Sequence, residues 1–276
     1  MDEKQIIEYF KEKQTPINVI EDLYQMVYDF HNICQLVKFK YITTGGGLLG
    51  AIKYGSIISY DDDFDVAYVN NEENKIKLDK VLHLMKKLGY KVYFQVGYQG
   101  YQIVSHRINN VYPFIDVIPL FLRNDGYYYY SRLTNHNPKF DKQIFWTEYQ
   151  LFPRHLVPYG NFKVWAPNRD LEYLNTTFPK WQTISKFMGH HRYHDAYSLV
   201  LTYIFEDHPE IESKKLPIDV QRIPIKKLKL KYDTFKKLKI SPKILEKRKW
   251  FYIFKSSQWR WFRFSNEQTD YGIIDQ

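Results

Sequence analysis

The amino-acid sequence predicts an α/β protein in which flanking helices cover a mixed β-sheet. Two patterns indicate this class. Apolar residues recur at intervals of three and four residues in several stretches, as on one face of a helix. Short runs rich in β-branched and aromatic residues lie between those stretches and predict strands. The 276 residues, 44% hydrophobic and 26% charged, are enough for one large folded domain or for one domain with an appendage.

The elements expected from these patterns follow one another along the chain. The predicted helices have apolar residues at helical spacing and lie at residues 3–12, 17–39, 74–88 and 196–205. The predicted strands are short and bounded by turn residues, and they lie at residues 39–43, 64–69, 90–96, 101–106 and 114–118. We expect Gly89 to end the third helix and Pro119 to end the last strand.

The composition excludes some classes of site and favours one location. The single cysteine, Cys34, excludes an internal disulfide framework and a multi-cysteine zinc site, and its apolar helical surroundings predict a core position. No run approaches the roughly 18 apolar residues of a membrane span. No apolar segment follows the polar residues 1–5, as it would in a secretory signal. We therefore expect a cytoplasmic protein.

Positive charge is concentrated towards the C-terminus. Residues 222–249 contain twelve Lys and Arg against two acids, so this segment has a net charge of +10 and the rest of the chain −1 of the formal +9. A solvated helical surface is the simplest interpretation. The alternatives are contact with an anionic acceptor or with a membrane surface that presents anionic glycan, and nucleic-acid binding in which neighbouring aromatics stack on bases.

A dense group of acids lies in the stretch S-Y-D-D-D-F-D-V-A at residues 59–67. On a strand, Asp61, Asp63 and Asp65 share one face, whereas Asp62 points the other way. Carboxylates on one face repel one another. A divalent cation reverses the sign of that interaction, and Mg²⁺ or Mn²⁺ prefers oxygen ligands of this kind.

A further acid, Asp116, lies inside the apolar run at residues 114–118. A buried carboxylate without a partner is costly, and a metal site on a neighbouring strand would satisfy it. We predict Asp63, Asp65 and Asp116 as metal ligands, and Asp61 as an auxiliary ligand or the group that orients an acceptor. The alternatives are an acidic surface turn for the first group and an arginine partner for the lone acid.

A glycine turn precedes the acids and fits the same site. Gly45, Gly46 and Gly47 lie between a short predicted strand and a further helix, where backbone N–H groups can bind a phosphate. Lys53 either contacts that phosphate or is a solvated helix lysine. A glycine turn, an Asp-x-Asp pair and a later strand carboxylate, in this order, resemble the layout of the nucleotidyltransferase fold. Its chemistry is in-line attack on a phosphorus atom.

Several motifs resemble one known family. Residues 45–66 closely resemble the signature of the LicD family of phosphotransferases, which includes the fukutin-type enzymes: they read G-G-G-L-L-G-A-I-K-Y-G-S-I-I-S-Y-D-D-D-F-D-V. Later blocks resemble the family too, namely F-I-D-V-I-P-L at 114–120, L-F-P-R-H-L-V-P-Y-G-N-F-K-V-W-A-P-N-R-D-L-E-Y-L at 151–174 and F-P-K-W at 178–181. Two departures are Gly47, where the family often has Thr, and Lys53, which replaces a usual Arg.

The resemblance implies a fold, an activity and a domain division. It implies a nucleotidyltransferase-like catalytic domain at residues 1–183, with the motifs within residues 40–182. A helical, basic and aromatic extension at residues 184–276 would pack on it. The implied activity transfers a substituted phosphate, such as phosphocholine or a polyol phosphate, from a CDP-linked donor to a hydroxyl of a glycan. The metal acids and the glycine turn, with Lys53 on the donor's phosphates, would form the site.

Two other functions remain open at this point. The first is a nucleotidyltransferase of the same fold that uses an NTP and an RNA, protein or small-molecule acceptor, which the basic segment favours. The second is an inactive nucleic-acid- or glycan-binding module.

Further candidates for substrate contact, with loop structure as the alternative, are Arg154, His155, Asn168 and Arg169. Three histidines that we interpret as surface residues rather than zinc ligands are His190, His191 and His194.

Overall fold

The computed structural model confirms the predicted α/β class. It describes residues 4–5, 8, 14–105, 113–123, 126–129, 145–188 and 200–204. All of them lie in the compact unit Met1–Ile223. The predictions for the basic segment 222–249 and for the three histidines fall outside the described residues, as does most of the helix expected at residues 3–12.

The described chain begins with helices and strands in alternation and continues mainly with strands. The helices, numbered α1 to α5 in chain order, are Ile17–Val37, Gly45–Tyr54, Glu72–Lys87, Glu148–Leu151 and Asp170–Thr177. The strands, numbered β1 to β11, are Ile42–Thr43, Asp63–Val69, Lys91–Gln95, Gly100–Val104, Phe114–Arg123, Gly126–Tyr129, Phe145–Trp146, His155–Tyr159, Phe162–Ala166, Ile184–Met188 and Val200–Ile204.

One mixed sheet of seven strands lies at the centre of the part of the chain that the structure describes. Its strand order is β1-β2-β5-β4-β3, with β6 paired to the far end of β5 and β7 paired to β6. The two central strands, β2 and β5, run parallel, and their neighbours are antiparallel to them. Two antiparallel pairs, β8–β9 and β10–β11, form separate small sheets. The parallel pair at the centre is the feature that places the acids.

The two faces of the sheet are covered differently. Phe64 and Val66 are fully buried on one face of β2, and α1 packs against β2, β5 and α3. On the other face, Ala67 belongs to an apolar cluster with Trp146 and Leu151 from the later segment. Because side chains alternate along a strand, the cluster face is also the face of the β2 acids. That face therefore has a polar end and an apolar end.

Three expectations about local structure differ from the structure. β5 continues through Pro119 to Arg123. The proline is tolerated because its position has no register partner in either β4 or β6, so no ladder hydrogen bond to them is lost. The helix expected at residues 196–205 is replaced, in its described part, by Val200–Ile204, a strand paired with Ile184–Met188. The third difference, at the start of β2, concerns the acids and is described with the site.

The structure also shows the position of the single cysteine and the character of the described helices. Cys34 is buried in the core, as its apolar surroundings predict. Among the described residues, the structure contains no helix that is both long and apolar enough to cross a membrane.

A buried polar network ties α1 to the segment after α3. Asp29, which is 2% exposed, accepts hydrogen bonds from the hydroxyl of Tyr90 at 2.7 Å and from Nε2 of Gln25 at 2.9 Å. The carboxylate is stable in the core because two donors satisfy it.

Replacing Tyr90 by Phe should destabilise the fold by about 1–3 kcal/mol, because the change leaves the buried Asp29 carboxylate without one of its donors. Urea denaturation followed by circular dichroism measures the free energy of unfolding. The matched control is Tyr149→Phe, which removes a hydroxyl from a side chain that is 58% exposed. Equal stability of the two variants would contradict the role given to this network.

Candidate active site

Acids from β2 and β5 lie side by side at the centre of the sheet. In the parallel register, Asp65 of β2 is the partner of Asp116 of β5. In the antiparallel register of the next pair, Asp116 is the partner of Gln102 of β4. Partners in adjacent strands point to the same face. Three polar side chains from three strands therefore form one row, as the sequence predicted for the two acids.

The remaining acids enter this row from the preceding loop. β2 begins at Asp63, so Asp61 and Asp62 lie before the strand, where both are buried. Asp61, Asp62 and Asp63 each have a carboxylate oxygen that lies within 4.8 Å of an oxygen of the other two. The expectation that Asp62 points away from its neighbours is wrong, because the alternation of a strand does not extend into the loop.

The carboxylates perturb each other strongly. Burial raises the pKa of Asp63, and repulsion from the carboxylates of Asp61, Asp65, Asp62 and Asp116 raises it further. Such a group of acids is electrostatically unfavourable by itself. The close group of oxygens formed by Asp61, Asp62 and Asp63 fits a hard divalent cation such as Mg²⁺ or Mn²⁺, which would offset the repulsion. The predicted ligands Asp65 and Asp116 are not part of that group, although they are register partners on adjacent strands.

The glycine turn is the first turn of α2, and it touches the acids. Gly45 has a φ of 59°, and a Cβ atom there would lie 2.1 Å from Oδ2 of Asp65. A Cβ atom on Gly46 would lie 2.5 Å from Oδ2 of Asp61. The residues are glycines because the carboxylates occupy the space of a side chain. The start of a helix also favours nearby negative charge.

Two further contacts hold the start of α2 in place. The backbone N–H of Thr44, the residue that caps α2, donates to the carbonyl oxygen of Asp65 at 3.0 Å. The backbone N–H of Gly45 donates to the hydroxyl oxygen of Tyr173 at 3.1 Å. The Tyr173 ring stacks on Trp146 with centroids 4.6 Å apart. The apolar end of the sheet face therefore supports the polar end.

The third glycine faces the other side of the sheet. A Cβ atom on Gly47 would lie 2.7 Å from Cδ2 of Phe64, which is fully buried. Close packing of α2 on β2 therefore requires a glycine at this position. A larger residue there would have to displace the Phe64 ring.

Two donors hold the carboxylate of Asp116. Its Oδ1 accepts a hydrogen bond from the hydroxyl of Tyr98 at 2.7 Å and another from Nε2 of Gln102 at 3.0 Å. Burial, followed by the charge of Asp116, raises the pKa of Tyr98 well above its usual value, so the hydroxyl keeps its proton at neutral pH.

Sequence reasoning missed Tyr98, Gln102 and Tyr173. The signal for Gln102 was a polar residue inside the apolar strand 101–106, which indicates a buried hydrogen bond but not its partner. The two tyrosines had no distinguishing signal among 25. Their contacts with Asp116 and Gly45 join residues far apart in the chain.

The position of Lys53 on α2 separates it from the glycine turn. Lys53 is in the last turn of α2, about 12 Å along the helix axis from Gly45 at 1.5 Å per residue. Its Nζ lies 5.3 Å from the ring centroid of Tyr54. The contact of Lys53 with the phosphates of a donor stays a prediction.

The four later candidates come together in an open groove of about 490 Å³. The residues that line it include Arg154, His155, Asn168 and Arg169. Both guanidinium groups lie over aromatic rings, that of Arg154 at 4.2 Å from the Trp165 ring centroid and that of Arg169 at 4.4 Å from the Tyr149 ring centroid. In the structure, these four residues therefore line the same groove.

A family model described as LicD/FKTN/FKRP, nucleotidyltransferase domain, matches residues 38–169. The matched range contains β1, α2, the acids of β2 and β5, and the groove residues Arg154 and Asn168. The parallel strands β2 and β5 and the helix α2 thus lie in the range that matches a nucleotidyltransferase domain. Residues 38–169 therefore match the LicD family, as the resemblance of the motifs predicted.

Two curated relatives match the chain over part of their length. Uncharacterized protein RP689 of Rickettsia prowazekii (strain Madrid E) is 25% identical over 178 residues, which cover 62% of this chain and 59% of that protein. Uncharacterized protein RT0683 of Rickettsia typhi (strain ATCC VR-144 / Wilmington) is 27% identical over 172 residues, which cover 62% of this chain and 50% of that protein. The chain therefore spans only part of the length of these relatives.

Replacing Gly45 by Ala should destabilise the protein by at least about 1–2 kcal/mol. The new residue would adopt a left-handed backbone conformation, and its Cβ atom would displace the carboxylate of Asp65. Urea denaturation measures the change. Gly97→Ala is the control, because a Cβ atom there meets nothing within 4 Å. If both variants unfold at the same urea concentration, the close approach of helix and acid is not a constraint on the fold.

Proposed function

We propose that the protein is a metal-dependent phosphotransferase. It would move a substituted phosphate, such as phosphocholine or a polyol phosphate, from a CDP-linked donor to a hydroxyl of a glycan or glycoconjugate. The LicD family is phosphotransferase-like, which supports transfer chemistry. The observation that carries the proposal is the meeting of the β2 acids, Asp116 and the start of α2 at one point of the sheet.

The metal would be held by acids of the row. Asp63, Asp65 and Asp116 would bind Mg²⁺ or Mn²⁺, with Asp61 as an auxiliary ligand. The raised pKa of Asp63 supports this role, because the crowded carboxylates gain most from a bound cation. When bound, the cation neutralises these charges and polarises the phosphoryl oxygens of the donor.

The transfer itself exchanges one phosphorus–oxygen bond for another. The hydroxyl oxygen of the acceptor attacks the phosphorus of the substituted phosphate, and the bond from that phosphorus to the CMP oxygen breaks. CMP leaves with the electron pair, and the hydroxyl proton passes to a carboxylate of the cluster. Asp61 lies beside Gly46 and would orient the acceptor.

Backbone groups at the start of α2 would bind the phosphates of the donor. The first N–H groups of a helix have no partner within the helix and attract anions. The N–H of Gly45 is bonded to Tyr173, so Gly46 and Gly47 are the better placed donors. Lys53 would contribute positive charge from the far end of the same helix.

The surroundings of the reaction are part of the proposal. We propose a cytoplasmic location, and contact of the basic segment 222–249 with an anionic surface, such as a membrane that presents the acceptor. Nucleic acid is the less favoured partner, because the acid cluster and the family assignment support phosphate transfer to a glycan.

A thermal-shift screen tests the donor and the metal together. The purified protein is heated with CDP-choline, CDP-ribitol, CDP-glycerol, CTP, ATP, GTP or UTP, each with Mg²⁺, with Mn²⁺ and with EDTA. Stabilisation by one CDP-linked compound that disappears in EDTA is expected, since a ligand stabilises the state it binds. Metal-dependent stabilisation by an NTP alone would favour a nucleotidyltransferase. No metal-dependent shift with any compound would favour a binding module.

Replacing Asp63 by Asn should lower the rate of transfer on the order of 100-fold or more, because a charged group that stabilises the transition state is lost. CMP release from the donor identified by thermal shift measures the rate. The control is Glu73→Gln on α3, which removes a carboxylate that is fully exposed and bonded to Lys77. Full activity of Asp63→Asn with metal present would show that the site is wrongly assigned.

A further inference from the structure

The hairpin between β3 and β4 places one side chain directly on the acid row. Tyr98 lies in the turn of this hairpin, and its hydroxyl donates to Oδ1 of Asp116 at 2.7 Å. Gln102, which is 4% exposed, donates to the same oxygen at 3.0 Å. Both donors come from one hairpin, and neither belongs to the acids or to the glycine turn.

The local backbone holds the Tyr98 ring in one place. Gln99, the next residue, has a φ of 54°, which turns the chain sharply at this point. A Cβ atom on Gly100 would lie 2.6 Å from Cε2 of the Tyr98 ring and 2.3 Å from the carbonyl oxygen of Val117. The ring therefore packs against a glycine that no other residue could replace without displacing it. The hydroxyl reaches Asp116 because the ring is fixed.

The second donor, Gln102, is also held in place by a neighbouring side chain. Oε1 of Gln102 accepts a hydrogen bond from Nε2 of Gln95 at 3.3 Å. With its oxygen held by Gln95, the amide of Gln102 is oriented with its nitrogen towards Asp116. One hairpin thus fixes two donors, and both donors fix one carboxylate oxygen.

We propose that Tyr98 is a positioning residue that, together with Gln102, orients the carboxylate of Asp116 for a divalent cation shared with Asp65. This inference rests on the proposed function. It goes beyond that function in assigning the hairpin turn a role in cation affinity. Groups that hydrogen-bond to metal ligands orient them, and their loss typically lowers metal affinity about 10–100-fold.

The experiment measures the Kd of the full chain for Mn²⁺. Electron paramagnetic resonance gives the concentration of free Mn²⁺ during a titration of the protein. Tyr98→Phe keeps the ring against Gly100 and deletes only the hydroxyl. We expect its Kd to rise about 10–100-fold. Gln102→Leu, which removes the second donor, should raise the Kd in the same direction. The control, Tyr149→Phe, removes an exposed hydroxyl on α4 and should leave the Kd unchanged.

Unfolding of each variant in metal-free buffer separates positioning from simple structural support. A structural role lowers the free energy of unfolding but leaves the Kd of the folded protein unchanged. If the wild type binds Mn²⁺ and both Tyr98→Phe and Gln102→Leu bind it with the same Kd, the inference is overturned while the proposed function stands. If the wild type itself binds no Mn²⁺, the metal-dependent function fails, and the inference fails with it.

Discussion

The parallel pairing of β2 with β5 is the constraint on which the rest of the structure depends. It sets Asp65 beside Asp116 at the centre of the sheet, and the loop before β2 adds Asp61 and Asp62 to the same place. Burial, followed by repulsion among these carboxylates, raises the pKa of Asp63. The fold keeps them together because two central strands and a buried loop leave them no other position.

The neighbouring elements are built around that crowding. α2 starts with glycines because the oxygens of Asp65 and Asp61 occupy the space of their side chains. Tyr173 holds the first of these glycines and stacks on Trp146, so the apolar end of the sheet face supports the polar end. On the opposite side of the row, the β3–β4 hairpin holds Asp116. The acids are thus restrained from both sides by groups that have no charge.

The residues that line the groove differ from those that assemble the acids. The acid row and the glycine turn are made by strand register and by close approach, and both lie within the matched LicD domain. The groove around Arg154 and Arg169 presents planar cations and polar groups on the surface of the later segment. A common reaction centre with variable surroundings is typical of folds that serve several substrates.

Local pattern predicted much of this arrangement. The helix at residues 17–39 and the helix at 74–88 agree with α1 and α3 to within two residues at each end, because each buries one continuous apolar face. The acids of β2 and Asp116 were expected on neighbouring strands, since a lone carboxylate in an apolar strand needs a partner. The glycine turn was expected beside them, although as a phosphate site rather than as the space for two carboxylates.

Contacts between distant segments determined the rest. Pro119 lies within a strand because it falls between the residues that pair with β4 and those that pair with β6, while its pairing with β2 continues. Val200–Ile204 is a strand because a partner at Ile184–Met188 is available. The chain by itself determined which residues are acids, glycines and apolar helix faces, because these properties belong to single residues and their spacing. Only the tertiary structure decided that Tyr98, Gln102 and Tyr173 serve the acid row, because a hydrogen bond depends on the position of both its partners.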